Sequence, residues 1–260
     1  MRKKKADELG IDAAVTPVTL DDIANGDANR TLGNCVLWRL SSLGPSGNGA
    51  GYGLMQGRIS INSSLYVMPE IGNKYFQQQL LAYSSLAQYS VPTFYVNSYE
   101  QLSMLIRKGN LHYPVVVKPV HGSSAQGVTY LADDEHARRH THWSGYIAES
   151  YIENDGEWRV FVVGGVATGA MKKVAAPGKR FNLVTPGAMV HSETDDEIRD
   201  VIYDIATQAA SLFHTELNGV DIVRDSRTGA YYIFEVNVSP GWQNRFDKTT
   251  REDIPARVME

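Results

Sequence analysis

The chain has 260 residues, 43% apolar and 21% charged, enough for one large globular domain or two modest ones with a real core. Its formal net charge of −4 argues against a general nucleic-acid binder. A single cysteine, Cys35, excludes an internal disulfide and fits a reducing compartment; Cys35 itself is expected to be a small buried hydrophobe.

No apolar run reaches the ~20 residues that span a bilayer. The basic start, Arg2 to Lys5, lacks the apolar stretch of a secretory signal. A cytoplasmic protein without a membrane partner is expected, and no internal repeat is visible.

Residues 1–70 are read as an N-terminal α/β region. Candidate strands lie at 13–18 and 34–38, and Thr19 or Asp21 could begin a short helix between them. Residues 44–57, GPSGNGAGYGLMQG, have little to pack and predict a mobile loop. They contain no G-x-G-x-x-G dinucleotide motif. From Lys74 to Tyr89 the pattern predicts one helix. Ser98 with Gln101 forms a capping box, and Leu102, Leu105 and Ile106 make the stripe of the helix that follows. Lys108-Gly109-Asn110 ends it.

Strands are predicted at 146–149, 158–163 and 166–174, the last two joined by the Gly164-Gly165 turn. The apolar series Ile198, Val201, Ile202, Ile205, Ala209, Leu212 and Phe213 predicts the longest helix. Strands at 220–223 and 231–238 follow, with Asn218-Gly219 before the first and DSRTG between them. Mixed helices and hairpins predict an α+β fold rather than a doubly wound parallel sheet.

Two stretches carry chemistry. The first is YPVVVKPVHGSSAQGV, residues 113–128. Val115 to Val117 read as a packed strand, and Lys118 closes it where a cation is costly unless an anion meets it. Gly122, Ser123, Ser124 and Gly127 then let backbone N–H groups face outward as an anion cradle. A strand that ends on a solvated lysine and turns is the plainer alternative. A Walker loop is excluded, because Val128 stands where its lysine is required.

The second stretch is GVDIV (219–223) with YYIFEVNVSPG (231–241). Strand alternation puts Glu235 and Asn237 on one face, and Asp221 can reach that face from the neighbouring strand. Such hard oxygen ligands suit magnesium; three polar residues on the wet side of a hairpin explain the pattern equally well. His136, His140 and His142 hold a zinc-like spacing, but their charged surroundings read as a solvated helix end. Arg159 either orients Glu157 or a substrate, or is an ordinary strand surface residue. His121 sits in the phosphate loop and could touch a nucleotide. Trp158 and Trp242 read as packing residues, and Arg245 and Lys248 as a solvated tail.

Together these pieces resemble the ATP-grasp superfamily, in its glutathione-synthetase and ribosomal-protein glutamate-ligase branch. The motifs that carry the resemblance run in order from about Ile61 to Gly241: INSSLYVMPEIGNKYF, PVVVKP-x-x-GSS-x-x-GV, ESYIENDGEWRVFVVGG, AMKK with KRFNL, and GVDIV with FEVNVSPG. The resemblance implies an ATP-grasp domain at 71–260, with a small lobe at about 105–155, gripping ATP.

It assigns Lys74 and Lys118 to the ATP phosphates, and Ser123, Ser124 and Gly127 to the loop that folds over them. Glu149, Ser150, Tyr151 and Ile152 would form the adenine hinge, with Glu157 near the ribose. Asp221, Glu235 and Asn237 would hold magnesium, or manganese in its place. Lys173, Arg180 and Asn182 would face the acyl-phosphate and the tetrahedral intermediate. The implied activity joins a carboxylate to an amine, whether amino acid, peptide or protein end, and a homo-oligomer is common for such enzymes. An ATP-grasp kinase and a non-catalytic nucleotide binder share the same residues. Lys173 stands where these ligases usually carry arginine, and residues 184–189, VTPGAM, stand where they carry an Arg or Gly-Gly element.

Overall fold

A computed structural model describes residues 35–37, 57–62, 68–122, 125–182 and 187–241. The expected strand at 13–18, the helix start at Thr19 or Asp21, most of the 44–57 loop, Ser123, Ser124, Trp242, Arg245 and Lys248 lie outside them.

The described chain forms two antiparallel sheets and a small parallel pair. Strands β1 (Cys35–Leu37) and β2 (Ile59–Ile61) make the pair. A four-stranded sheet has the order β3-β6-β4-β5, built from β3 (Thr93–Val96), β4 (Val115–Pro119), β5 (Thr129–Leu131) and β6 (Tyr146–Ser150). A five-stranded sheet has the order β11-β10-β7-β8-β9, built from β7 (Glu157–Val163), β8 (Val166–Val174), β9 (Met189–Ser192), β10 (Leu217–Arg224) and β11 (Tyr231–Asn237). The sequence reading starts the small lobe near 105. The small sheet also takes in β3, because Thr93–Val96 pairs with Tyr146–Glu149.

Helix α1 (Lys74–Ala82) is shorter than the predicted helix. Its chain turns at Tyr83 and resumes only as a short 3-10 segment, Ala87–Tyr89. The Ser84 hydroxyl accepts from the Leu86 N–H and donates to the Leu81 carbonyl, offering the backbone an alternative to the helix ladder. Helix α2 (Tyr99–Arg107) starts as its capping box predicts: the Ser98 hydroxyl accepts from the Gln101 N–H, and Gln101 Oε1 reaches back to the Asn97 N–H. Helix α3 (Asp134–Arg139) carries His136 on an exposed turn paired with Asp133. Helix α4 (Asp196–Leu212) is the long helix the apolar stripe predicts. No helix among the described residues is long and apolar enough to cross a membrane.

The main core lies between the large sheet and helices α1 and α4. Trp158, Val160, Ile202, Ile205, Phe213 and Val220 are all buried in it. Each such side chain contributes about 1.5–3 kcal/mol by leaving water. Because strand side chains alternate, burying Trp158 and Val160 turns Glu157 and Arg159 to the opposite face. A second core, including Leu102, Leu111, Val115, Val117 and Leu131, joins the small sheet to α2 and α3. Cys35 is exposed rather than buried: alternation along β1 sends its neighbour Val36 into the main core instead.

Strand β11 is an edge strand, and α1 covers its edge with amides. Gln77 donates to the Val236 carbonyl at 2.8 Å and accepts from the Val236 N–H at 3.0 Å. Gln78 donates to the Ile233 carbonyl at 2.8 Å and accepts from the Val91 N–H at 2.8 Å. These side chains act as a substitute strand for backbone groups that would otherwise be buried unpaired. We expect Gln77→Leu to lower unfolding free energy in urea by about 2–3 kcal/mol, since it strands both Val236 groups. A loss below measurement error would show that the edge does not need this cover.

Candidate active site

Strand register lines up charges on the face of the large sheet that points away from α4. Arg159 on β7 is the cross-strand partner of Asp221 on β10, and Asp221 is the partner of Glu235 on β11. Glu157, farther along β7, faces Lys173 on β8. Arg159 forks onto Asp221, with Nε to Oδ1 at 2.8 Å and Nη2 to Oδ2 at 2.5 Å. Lys173 donates to Glu157 and stands 3.5 Å from Asp221 Oδ1. Gly219 makes room for this arrangement. A Cβ there would sit 3.0 Å from Pro240 Cβ and 3.4 Å from the Arg159 stem.

Burial works against the Asp221 carboxylate, but Arg159 and then Lys173 outweigh it and hold the carboxyl below the usual carboxylate range. At Glu157 burial wins: desolvation pushes its carboxyl up despite the Lys173 ammonium.

The small sheet supplies the opposite wall. Lys118 on β4 lies diagonally from Glu149 on β6 and pairs with it at 2.8 Å. The Thr93 hydroxyl donates to the other Glu149 oxygen at 2.9 Å. Lys118 and Glu149 are only 9% and 4% exposed, so each would be costly without the other. Lys74 opens α1, where Asn73 caps the first turn, and reaches the Gly122 carbonyl at 2.7 Å and Glu235 at 3.4 Å.

Between the sheets the chain crosses at 151–156. The Tyr151 N–H donates to the Pro114 carbonyl at 2.9 Å. Asn154 Oδ1 accepts from the Gly156 N–H and from the Asn182 amide, and Asn182 Oδ1 accepts from the Ala175 N–H. The 175–182 loop is thereby tied to the crossing. Arg180 stacks over the Tyr130 ring at 4.2 Å, and Tyr130 meets Tyr151 edge-on.

One cleft collects most of the residues singled out from sequence. Lys74, Lys118, Lys173, Asp221 and Glu235 line it, as do Glu149, Tyr151, Ile152, Glu157, Arg180 and Asn182. Its empty space is about 1120 Å³, part of it open solvent at the mouth. His121 also lines it.

Asn237 and Gly127 stand outside that lining. Asn237 lies beyond Glu235, opposite Gly219, and its Oδ1 accepts from the Ser239 N–H at 3.2 Å. Gly127 has φ +76, and a Cβ there would sit 2.8 Å from both Pro119 Cγ and the Tyr146 hydroxyl. Its lack of a side chain lets the loop pack on β4, whatever else it serves.

Arg159 is neither a surface residue nor the partner of Glu157; its fork goes to Asp221. Asn154 and Phe234 also line the cleft, with the Lys118 ammonium 5.8 Å from the Phe234 ring; strict alternation would put Phe234 on the face opposite Glu235, but the β10–β11 register shifts beside it. The alternation of β7 puts Arg159 on the Glu157 face, as the sequence allows, but does not name Asp221 as its partner. Trp158 is a packing residue, as expected. It is 1% exposed and its indole donates to Glu193.

Among the described residues no group of three or more His, Cys, Asp and Glu side chains gathers to hold a metal. The cleft instead offers a smaller hard-oxygen set. Asp221 and Glu235 face each other directly across the β10–β11 pair. Two carboxylates so placed repel unless cations lie near them, and here Arg159 and Lys173 meet Asp221 while Lys74 meets Glu235; the oxygen donors are of the type that hard divalent ions take.

A family model described as the RimK-like ATP-grasp domain matches residues 72–260, more than half of the chain. The chain belongs to the RimK-like ATP-grasp family. Its α+β architecture, with an ATP-grasp cleft between two antiparallel sheets, agrees with that membership. It is 29% identical over 215 residues to "Probable alpha-L-glutamate ligase 2" of Hahella chejuensis, covering 79% of this chain and 67% of the relative.

It is 28% identical over 157 residues to the coenzyme gamma-F420-2:alpha-L-glutamate ligase of Methanocaldococcus jannaschii, covering 57% of this chain and 52% of the relative. It is 26% identical over 144 residues to the alpha-aminoadipate–LysW ligase LysX of Sulfurisphaera tokodaii, covering 52% of this chain and 49% of the relative. The chain thus spans about half to two thirds of the length of these curated relatives.

Among solved structures, the ATP-grasp ligase PsnB complexed with minimal precursor, Mg and ADP superposes with a TM-score of 0.57 at 19% identity, over 77% of this chain and 60% of that one. The biotin carboxylase domain of the Hydrogenobacter thermophilus 2-oxoglutarate carboxylase superposes with a TM-score of 0.69 at 16% identity, over 99% of this chain and 65% of that one. Identities this low carry the ATP-grasp fold alone.

Proposed function

We propose that the protein is an ATP- and magnesium-dependent carboxylate–amine ligase acting in the cytoplasm. The observation that carries this reading is the gathering of Lys74, Lys118, Asp221 and Glu235, from four separate elements, into the lining of one cleft. The names of the relatives, ligases of glutamate and aminoadipate, support a substrate pair in which an amino acid is joined through an amide bond.

A carboxylate is a poor acyl donor. Phosphorylation makes it an acyl-phosphate, an amine attacks, and phosphate leaves with an amide behind. Both steps move negative charge through crowded oxygens, so positioned cations stabilise them best. Lys118 and Lys74 bind the phosphate tail as point charges on rigid elements, a strand end and a helix start. We assign the 149–152 segment to the adenine base; the Tyr151 N–H within it is held by the Pro114 carbonyl, which fixes the segment against β4. Asp221 and Glu235 would hold magnesium, which would supply charge neutralisation to the phosphates. Asn237, next on the same face of β11, is the third ligand we assign. Lys173 and Asn182 face the reacting carboxylate, and Arg180 reaches it by leaving the Tyr130 ring. Ser123, Ser124 and Gly127 belong to the loop over the phosphates, and Glu157 stands nearest the ribose. No side-chain nucleophile is needed.

Product analysis tests this reading. With ATP, magnesium, a panel of carboxylates and L-glutamate as first amine, ADP and phosphate should form together with an amide, in equal amounts. ADP with a stable phosphoester would instead make the protein a kinase. No ADP with any acceptor, despite nucleotide binding, would make it a binder.

A further inference from the structure

We infer that Arg159 is a placeholder for the metal: it holds Asp221 until a nucleotide phosphate draws its guanidinium away, so metal and nucleotide load together. The inference rests on the reading of Asp221 and Glu235 as the metal pair and concerns how that pair is made available.

Both oxygens of Asp221 are engaged by the Arg159 fork, and Lys173 stands 3.5 Å from one of them. Glu235, opposite Asp221, is itself paired with Lys74 at 3.4 Å. Every carboxylate that a divalent ion would use is therefore already held by a cation that a phosphate would use.

A metal arriving alone must lie within a few ångströms of the Arg159 guanidinium, in a site where Asp221 is only 5% exposed. Two cations so close, with little water between them, repel strongly. A phosphate arriving alone must take Lys74 and Arg159, which leaves Glu235 without its cation and Asp221 with Lys173 alone, 3.5 Å away. When both arrive, partners exchange: the carboxylates go to the metal, the guanidinium and ammonium to phosphate, and no buried charge is left unpaired.

The stem of Arg159 lies against bare Gly219, its Cδ and Cγ 3.4 and 3.5 Å from where a Cβ would be. No side chain on that residue blocks the guanidinium from turning. The consequence is a coupling free energy between metal and nucleotide, reciprocal by linkage.

The experiment titrates manganese(II), followed by its electron paramagnetic resonance, into the full chain with and without saturating ADP. Affinities are corrected for the metal–ADP complex in solution. Wild type should bind manganese weakly alone and more tightly with ADP. Arg159→Met keeps the stem and removes the charge; it should bind manganese alone about tenfold more tightly than wild type, with the ADP effect reduced by a similar factor. Arg159→Lys, which keeps one charge without the fork, should fall between.

If Arg159→Met is too unstable to titrate, manganese should raise its melting temperature more than it raises that of wild type. The proposal is overturned if removing the guanidinium leaves manganese affinity and melting response at their wild-type values. Asp221→Asn separates the two possible reasons. If it weakens manganese binding in the presence of ADP, the ligand pair stands and only the placeholder role is lost. If it changes nothing, the metal pair itself is misassigned and the placeholder role goes with it.

Discussion

Lys118→Ala is expected to weaken ADP binding by about one to two orders of magnitude, the loss that follows from removing a desolvated, charge-assisted contact of about 1.5–3 kcal/mol to phosphate. Calorimetric titration reads this directly. The same truncation reaches the fold. Lys118 and Glu149 form a buried pair at 2.8 Å, and Thr93 is the other side chain that hydrogen-bonds Glu149. Leaving a buried carboxylate without its cation costs about 3–5 kcal/mol of stability, or the group takes up a proton.

Urea unfolding of Lys118→Met, Glu149→Gln and the double variant separates the two effects. Pairing the substitutions should restore much of the stability, since no buried charge is then left over. It should not restore ADP affinity, because the phosphate contact is still missing. A Lys118→Met variant that bound ADP as wild type does would end the assignment of Lys118 to the nucleotide.

Glu235→Ala is expected to reduce magnesium-dependent turnover by about 10³-fold or more, corresponding to roughly 4 kcal/mol of lost transition-state stabilisation. Its effect on the fold should be small. Glu235 is 28% exposed at its side chain, and its partner Lys74, 11% exposed and 3.4 Å away, still has the Gly122 carbonyl at 2.7 Å, so less buried charge is left unpaired than at Glu149. The contrast with Lys118 is the point of the measurement: one variant loses nucleotide and stability together, the other loses turnover with its melting temperature kept. Activity at the wild-type level across a magnesium titration would show that β11 does not carry a metal ligand.

The elements that were legible from sequence are those whose stabilisation is local. Helix α2 was marked by Ser98 and Gln101, which satisfy N–H groups within their own turn. Helix α4 was marked by a stripe at helical spacing, and the β7–β8 hairpin by Gly164-Gly165 between two β-branched runs. The predicted helix from 74 to 89 ran too long because Ser84 turns the chain, a side-chain bond that competes with periodicity. Strands β5 and β9 escaped notice for another reason. They are short, and each is fixed by its neighbour in the sheet rather than by its own pattern. Asn218 and Gly219, expected ahead of the strand, sit inside β10, where the glycine admits Pro240 and the Arg159 stem.

The candidate site divides in the same way. Motif order along the chain pointed to Lys74, Lys118, Asp221 and Glu235, and alternation placed Glu235 and Asn237 on a common face. These are properties of single elements, where the next side chain's direction follows from the last. What holds those charges in the cleft was decided by tertiary structure. Arg159 and Asp221 are 62 residues apart, and they meet because β7 and β10 pair in one register. Shifting that register by one residue would turn Arg159 toward the opposite face. Register depends on how the whole sheet packs against α4, so no local pattern around Arg159 could announce its partner. The sequence by itself therefore determined which residue types the cleft would hold; the packing of distant strands determined which of them neutralise one another.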